Sequence, residues 1–228
     1  MLFLAKNLKV RYSGENMEEY VILVDQDDNP IGKEDKVKCH LPNGKLHRAF
    51  TALIFNGDGK LLLTKRSDRK MLWPGYWDGT VASHPRESET YVSSAERRMP
   101  EEIGIDCKMN YMNKFEYHVP YKDIGSENEI CGTLIGIVDG FDNSRMIKDE
   151  ISEVKWINPD ELKNELDQNK DVYCPWMVIA LYFLADSDSA TLEKFNSLIT
   201  KWASDDLKPV YENAIKHYIP DNNWRLVP

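Results

Sequence analysis

The run FTALIFNGDGKLLLTKR, residues 50–66, constrains the fold of this chain more than any other stretch. Two β-rich segments flank Asn56-Gly57-Asp58-Gly59. Glycine and asparagine accept left-handed backbone angles, which lets a chain reverse within a few residues. The pattern predicts a β-hairpin, and a hairpin of two apolar strands needs more strands and a covering layer to bury them. More strands are legible on both sides. YVILVDQDDNPIG (20–32) alternates and then breaks at Asp28-Asn29-Pro30, predicting a strand and a turn, while YWDGTVA (76–82) and NEICGTLIGIVDG (128–140) predict two further strands.

Helical signals are concentrated in two places. SETYVSSAERRMPEEIG (88–104) predicts a helix with Ser88 as cap and Gly104 as stop. Pro100 inside it lacks the N–H of the helical ladder, a loss of about 3 kcal/mol or a kink. From Pro159 onward the chain turns helical, through PDELKNELDQN, PWMVIALYFLADS and two amphipathic runs between Ala190 and Tyr218. Strands, one central helix and a helical tail predict an α/β (α+β) domain, a mixed sheet between helices. Residues 1–187 form the expected core domain, and 188–228 a helical extension packed on it. The extension suits either a cap over a site or a dimer surface.

The composition narrows the function classes. A net charge of −9 over 228 residues opposes a general nucleic-acid binder, which needs a basic face. With 42% hydrophobic and 29% charged residues and no apolar run near twenty, no membrane span is expected. The opening MLFLAKNLKVRYSGENMEEY has too short an apolar core for a signal peptide, and Cys39, Cys107, Cys131 and Cys174 include no CxxC pair. Reduced thiols and a cytoplasmic location are the expectation.

Metal chemistry is the first functional signal. His40, His47 and His84 precede or follow the predicted hairpin. His40 and His47 lie seven apart, off the spacing of one helical face, so they converge only if His40 sits on a loop folded over the strand that begins at His47. Glu127 and Glu129, two apart in a strand, project to one face, where their charges repel unless a cation or proton lies between them. Three imidazoles and two carboxylates compose a site for Mn²⁺, Fe²⁺ or Zn²⁺. Taken singly, each histidine reads equally as a structural residue, and the carboxylates as a solvated strand edge.

Glu89, Arg97, Glu101, Glu102, Gly104 and Ile105 match the Nudix box, with two departures: Ser83 stands at its glycine and Arg98 at its first helical glutamate. Arg98 there, the His40–His47 spacing, WPG followed by SHP, ENEIC and PWMV occur in one order. In these motifs the chain resembles type I isopentenyl-diphosphate isomerase, a branch of the Nudix fold, from about Tyr20 to Leu181. The resemblance implies that His40, His47, His84, Glu127 and Glu129 hold Mn²⁺ or Zn²⁺. It implies that Glu102, with the backbone carbonyl of Ala82, holds Mg²⁺ on the diphosphate of a small isoprenoid substrate. Lys36, Arg66, Lys70 and Arg98 match its diphosphate-binding cations, Trp176 an indole over a carbocation, and Tyr117 a hydroxyl bonded to the catalytic Glu129.

One position departs from that family at the chemistry itself. Isomerisation adds a proton to one face of an alkene and removes one from the other, and the cysteine that serves one of those faces is here Ala82. A methyl group neither donates nor accepts a proton. Ser83 points to the other strand face, and Asp78 lies about 13 Å away if the strand is straight. Asp78 and Gly79 also replace polar residues of the family, which favours natural divergence over an engineered exchange. A Nudix-type diphosphate hydrolase using Glu101 and Glu102, and a non-catalytic prenyl-diphosphate binder, are the alternatives.

Overall fold

A computed structural model describes residues 19–228. In chain order the elements are β1 (Tyr20–Val24), β2 (Pro30–Asp35), α1 (Lys36–His40), β3 (His47–Phe55), β4 (Leu61–Arg66), β5 (Trp77–Asp78), β6 (Val81–Ser83), α2 (Tyr91–Glu102), β7 (Asn110–Tyr121), β8 (Gly125–Ile137), β9 (Ile151–Ile157), α3 (Pro159–Gln168), α4 (Pro175–Tyr182), α5 (Ser189–Trp202), α6 (Lys208–Tyr218) and β10 (Trp224–Val227). The mixed sheet runs β10-β7-β8-β3-β1-β2, with β6 and β4 on β3, and β5 and β9 on β4. The opening run MLFLAKNLKVRYSGENMEEY lies almost wholly outside the described residues.

β3 is the organising strand, and its eight buried residues explain why. A strand covered on both faces reads as a continuous apolar run rather than an alternation. One face, with Ala49, Leu53, Phe115, Tyr117 and Cys131, packs under α4 to α6; the other, with Phe50, Ala52, Ile54 and Leu134, packs under α2. The C-terminal segment belongs to the first of these cores through Phe195, Trp202 and Tyr211, and it ends in strand β10 on β7, so it is not purely helical as expected.

The predicted hairpin is corrected. The turn forms, with Asn56 and Gly59 closing it, but β3 and β4 pair only at Phe55 and Leu61. Thr80 separates them: its Oγ1 accepts from the Ile54 N–H at 2.9 Å and donates to the Leu62 carbonyl at 2.7 Å. One side chain thus replaces ladder bonds on both strands, each worth about 1 kcal/mol net. Gly79 permits this approach, since a Cβ there would sit 2.9 Å from Thr51 Oγ1. The predicted strand YWDGTVA is for the same reason two short strands, β5 and β6, broken at Gly79-Thr80.

Two local expectations also change. The cap of α2 is Thr90, not Ser88: Thr90 Oγ1 accepts from the Ser93 N–H, and Ser93 Oγ accepts from the Thr90 N–H. Gly104 does follow the helix, with φ of 75°. Pro100 lies in the last turn, and the helix runs through it to Glu102. His40 closes the short helix α1 rather than lying on a loop.

Candidate metal centre and adjoining cleft

Strand register assembles the first half of the site. β8 runs parallel to β3 with Glu129 beside His47, and antiparallel to β7 with Tyr117 opposite Glu129. Tyr117, Glu129 and His47 therefore form one row across three strands. His84 enters from the end of β6, and His40 from the end of α1. Ligand atoms of His40, His47, His84 and Glu129 lie within 4.8 Å of one another, and all four residues are buried or nearly so. Glu127 joins at the edge, its Oε2 3.0 Å from His40 Nε2.

The donor set fits a cation. His40 Nδ1 faces the Lys36 carbonyl at 2.6 Å and His47 Nδ1 faces the Lys45 carbonyl at 2.8 Å. A carbonyl only accepts, so each Nδ1 carries a proton and each Nε2 is turned toward the centre; His47 is opposed by burial but drawn well above the ordinary imidazole range by hydrogen bonds to Cys39 and Glu129. Glu129 Oε1 lies 3.4 Å from His47 Nε2 and 3.5 Å from His84 Nε2. Burial, then the charges of Lys36, His47 and His40, hold His84 far below the ordinary imidazole range, in its neutral form. Glu127 Oε2 is buried without a hydrogen bond. Buried carboxylate and imidazole lone pairs gathered around one point are the arrangement a divalent cation satisfies.

Tyr117 Oη donates to Glu129 Oε2 at 2.6 Å. Burial, then the carboxylate charges of Glu129 and Glu127, push the phenol far above its usual range, so it stays a donor. Trp176, in the first turn of α4, lies with its ring centroid 6.3 Å from that of Tyr117. Its Nε1–H donates to Asp78 Oδ1 at 2.7 Å.

The second half of the site opens where β4 leaves β3. Thr64, Arg66, Lys70, Asp78, Val81, Ala82, Glu102, Glu150 and Ile151 line a narrow cleft of about 10 Å³. Each sequence-predicted cation already has a carboxylate. Lys36 binds Glu19 at 3.1 Å, Arg66 binds Asp78 at 3.1 Å, Lys70 binds Glu150, and Arg98 binds Glu102 and, at 2.9 Å, Glu101. Glu150 is opposed by burial but drawn below its ordinary range by Lys70, Lys36 and Arg98, which places it among three of the four. Sequence reasoning missed Glu150 and undervalued Asp78. Glu150 follows a stretch without strand signals, so no pattern flagged it. Asp78 was measured along a straight strand that the Gly79-Thr80 break does not allow.

A family model described as NUDIX domain matches residues 45–177, more than half of the chain. An isopentenyl-diphosphate Delta-isomerase from Halobacterium salinarum is 37% identical over 185 residues, covering 77% of this chain and 85% of its own. The chain belongs to the Nudix family, in its isopentenyl-diphosphate isomerase branch. A second such isomerase, from Photorhabdus laumondii, is 36% identical and matches over 80% of this chain and all of its own. A solved protein from Deinococcus radiodurans shares the fold, with a TM-score of 0.56 at 18% identity over 71% of this chain and 97% of that one.

Proposed function

We propose that the chain binds a small isoprenoid diphosphate and interconverts isopentenyl and dimethylallyl diphosphate, by proton transfer altered at Ala82. The observation that carries this is the row Tyr117–Glu129–His47 ending beside the Trp176 indole, next to a cleft lined by Arg66 and Lys70 together with Asp78, Glu102 and Glu150. An alkene becomes reactive only when protonated, and the tertiary cation so formed is stabilised by an aromatic face and by fixed negative charge. Trp176 supplies the face, and the Tyr117–Glu129 pair is placed for proton transfer. Lys36, Arg66, Lys70 and Arg98 are assigned to the diphosphate, whose oxygens would replace the carboxylates now paired with them.

Mn²⁺ or Zn²⁺ would be held by His40, His47, His84, Glu127 and Glu129, where it supplies positive charge beside Glu129. Mg²⁺ would be held by Glu102 and the Ala82 carbonyl, neutralising the diphosphate. Glu102 and Ala82 share the lining of one cleft, which agrees with that assignment. Arg98 stands where the Nudix box has a metal-holding glutamate and is paired with Glu101, which supports isomerase-type chemistry over hydrolysis. Among the described residues no helix is long and apolar enough to cross a membrane, and the four thiols are unpaired; both suit a cytoplasmic enzyme.

Calorimetric titration of isopentenyl diphosphate in Mg²⁺ and Mn²⁺ tests the reading. Binding that disappears on chelation of both metals is expected. Equal binding of inorganic pyrophosphate, or release of phosphate from the substrate, contradicts it.

A further inference from the structure

Ala82 leaves the cleft without the family's thiol, so any other titratable group that reaches it has to come from the neighbouring strands. Ser83 belongs to the opposite face of β6. Lys70 and Glu150 hold each other, and Glu102 holds Arg98. The Cys174 thiol rests against Asp78 but is fully buried, lines no part of the cleft, and is pushed far up by burial. Asp78 remains. The strand break at Gly79-Thr80 turns it into the same cleft as Ala82, with only 2% of its surface exposed.

Its carboxylate is held from three sides. Oδ1 accepts from the Trp176 indole at 2.7 Å and from the Gly79 N–H at 2.7 Å, and Oδ2 accepts from Arg66 at 3.1 Å. An ionised carboxylate has about four acceptor positions, three of them taken by these donors and the remainder shared with the weakly donating Cys174 thiol. The indole consequently lies between two carboxyl groups: Asp78 at its N–H edge, and the Tyr117–Glu129 pair beyond its ring. β3 separates the strand that bears Glu129 from the strands that carry Asp78. A substrate cation at the Trp176 ring, over which the Arg66 guanidinium also lies at 5.2 Å, would have Asp78 at the indole's N–H edge and the Tyr117–Glu129 pair beyond the ring, two proton-transferring groups in different directions from it.

We propose that Asp78 takes the place of the missing thiol as the base of the isomerisation, resting on the isoprenoid-diphosphate reading of this same cleft. The Glu129 carboxyl, carrying a proton taken up from water and positioned by Tyr117, gives that proton to the terminal alkene carbon, the π electrons forming the new C–H bond and leaving a tertiary cation and the Glu129 carboxylate. Asp78 Oδ2 then removes a proton from the methylene carbon beside the cationic centre, and the electrons of that C–H bond become the new double bond. Both carboxyl groups return to their starting state by proton exchange with water, and no oxidant, reductant or leaving group takes part. Burial raises the Asp78 carboxyl above its ordinary range against the opposing pull of Arg66 and Trp176, which makes it a stronger base than a solvated aspartate.

The test follows turnover of isopentenyl diphosphate by the full chain with Mg²⁺ and Mn²⁺. Asp78→Asn keeps the acceptor for the indole and the shape of the residue. Its expected effect is a fall in kcat of at least about 100-fold with KM changed by no more than about threefold. Adding Ala82→Cys to Asp78→Asn is expected to restore at least about tenfold of the loss, because a thiol at position 82 supplies a base but repairs no hydrogen bond to Trp176. Cys174→Ser is expected to retain turnover.

Retained turnover in Asp78→Asn overturns the proposal, as does a loss that the thiol fails to restore while the diphosphate still binds. A rise of about 100-fold or more in Ala82→Cys alone also overturns it, and abolition by Cys174→Ser moves the role to that thiol. If the unmodified chain binds the substrate without isomerising it, Asp78 is not the base and the binding reading stands. If it binds no isoprenoid diphosphate, the reading itself falls.

Discussion

The imidazole–carboxylate cluster at the start of β3 and the Ala82–Asp78 corner where β3 and β4 part belong to one site, yet they are built on different principles. The cluster is made by strand register: Tyr117, Glu129 and His47 are opposed across three long strands whose pairing is fixed along their length. A one-residue slip would reverse every side chain and bury charge in the core, so the row is determined by the whole sheet. The corner is made by an interruption: a two-residue break, a glycine and one threonine hydroxyl hold apart strands that would otherwise pair. Chemistry set by register tolerates little change. Chemistry set by a local break can be moved by one or two residues.

The largest expected effects sharpen the first side of that comparison. His47→Ala removes a buried imidazole from one end of the row and is expected to weaken Mn²⁺ or Zn²⁺ binding by at least about 100-fold, measured by competition with a chelating dye. Unchanged affinity would mean that the row holds no metal. Tyr117→Phe deletes the donor to Glu129 and is expected to lower kcat by about tenfold to 100-fold while leaving metal affinity within a few-fold, since hydrogen bonds to charged groups are worth about 1.5–3 kcal/mol. Parallel losses in metal binding would show that the hydroxyl orders the cluster instead.

A middle-sized effect breaks the second side. Thr80→Val removes the hydroxyl between β3 and β4 and leaves the Ile54 N–H and Leu62 carbonyl facing a methyl group. A loss of about 2–4 kcal/mol in denaturant unfolding is expected from two unsatisfied buried groups. Stability unchanged within about 0.5 kcal/mol would mean that the strands simply close, and that the cleft is not maintained by Thr80.

The smallest effect lies outside both regions. Arg97 holds Glu89 through paired hydrogen bonds at 2.5 and 2.9 Å and draws its carboxyl from 4.5 down to about 2. A carboxyl depressed in the folded state stabilises above its unfolded value and loses that contribution as pH falls through its folded value. Glu89→Gln is therefore expected to lower stability slightly at neutral pH, with the difference from the parent vanishing between about pH 4.5 and pH 2. A difference that persists at pH 2 would contradict the assignment.

Much of the fold was legible because register and periodicity are local signals. The alternation of YVILV, the apolar run of β8 and the helices after Pro159 are all where the sequence places them. β7 escaped notice because Asn113, Lys114, Glu116 and His118 interleave its apolar residues and Pro120 lies near its end, a pattern that a single sequence does not separate from a loop. Motif order pointed to His40, His47, His84 and Glu129, which the fold brings together, His40 reaching the others from a helix. The hairpin and the distance to Asp78 were misjudged for one shared reason. Both depend on Thr80, whose hydroxyl bonds strands 26 and 18 residues away, and no local propensity records that.

The most direct test of the account is incubation of the unmodified protein with isopentenyl diphosphate, Mg²⁺ and Mn²⁺ in deuterated water, following product by mass and nuclear magnetic resonance together with phosphate release. The account predicts dimethylallyl diphosphate carrying deuterium, with no phosphate or pyrophosphate formed. Release of phosphate, or bound substrate recovered with neither rearrangement nor deuterium, would contradict it.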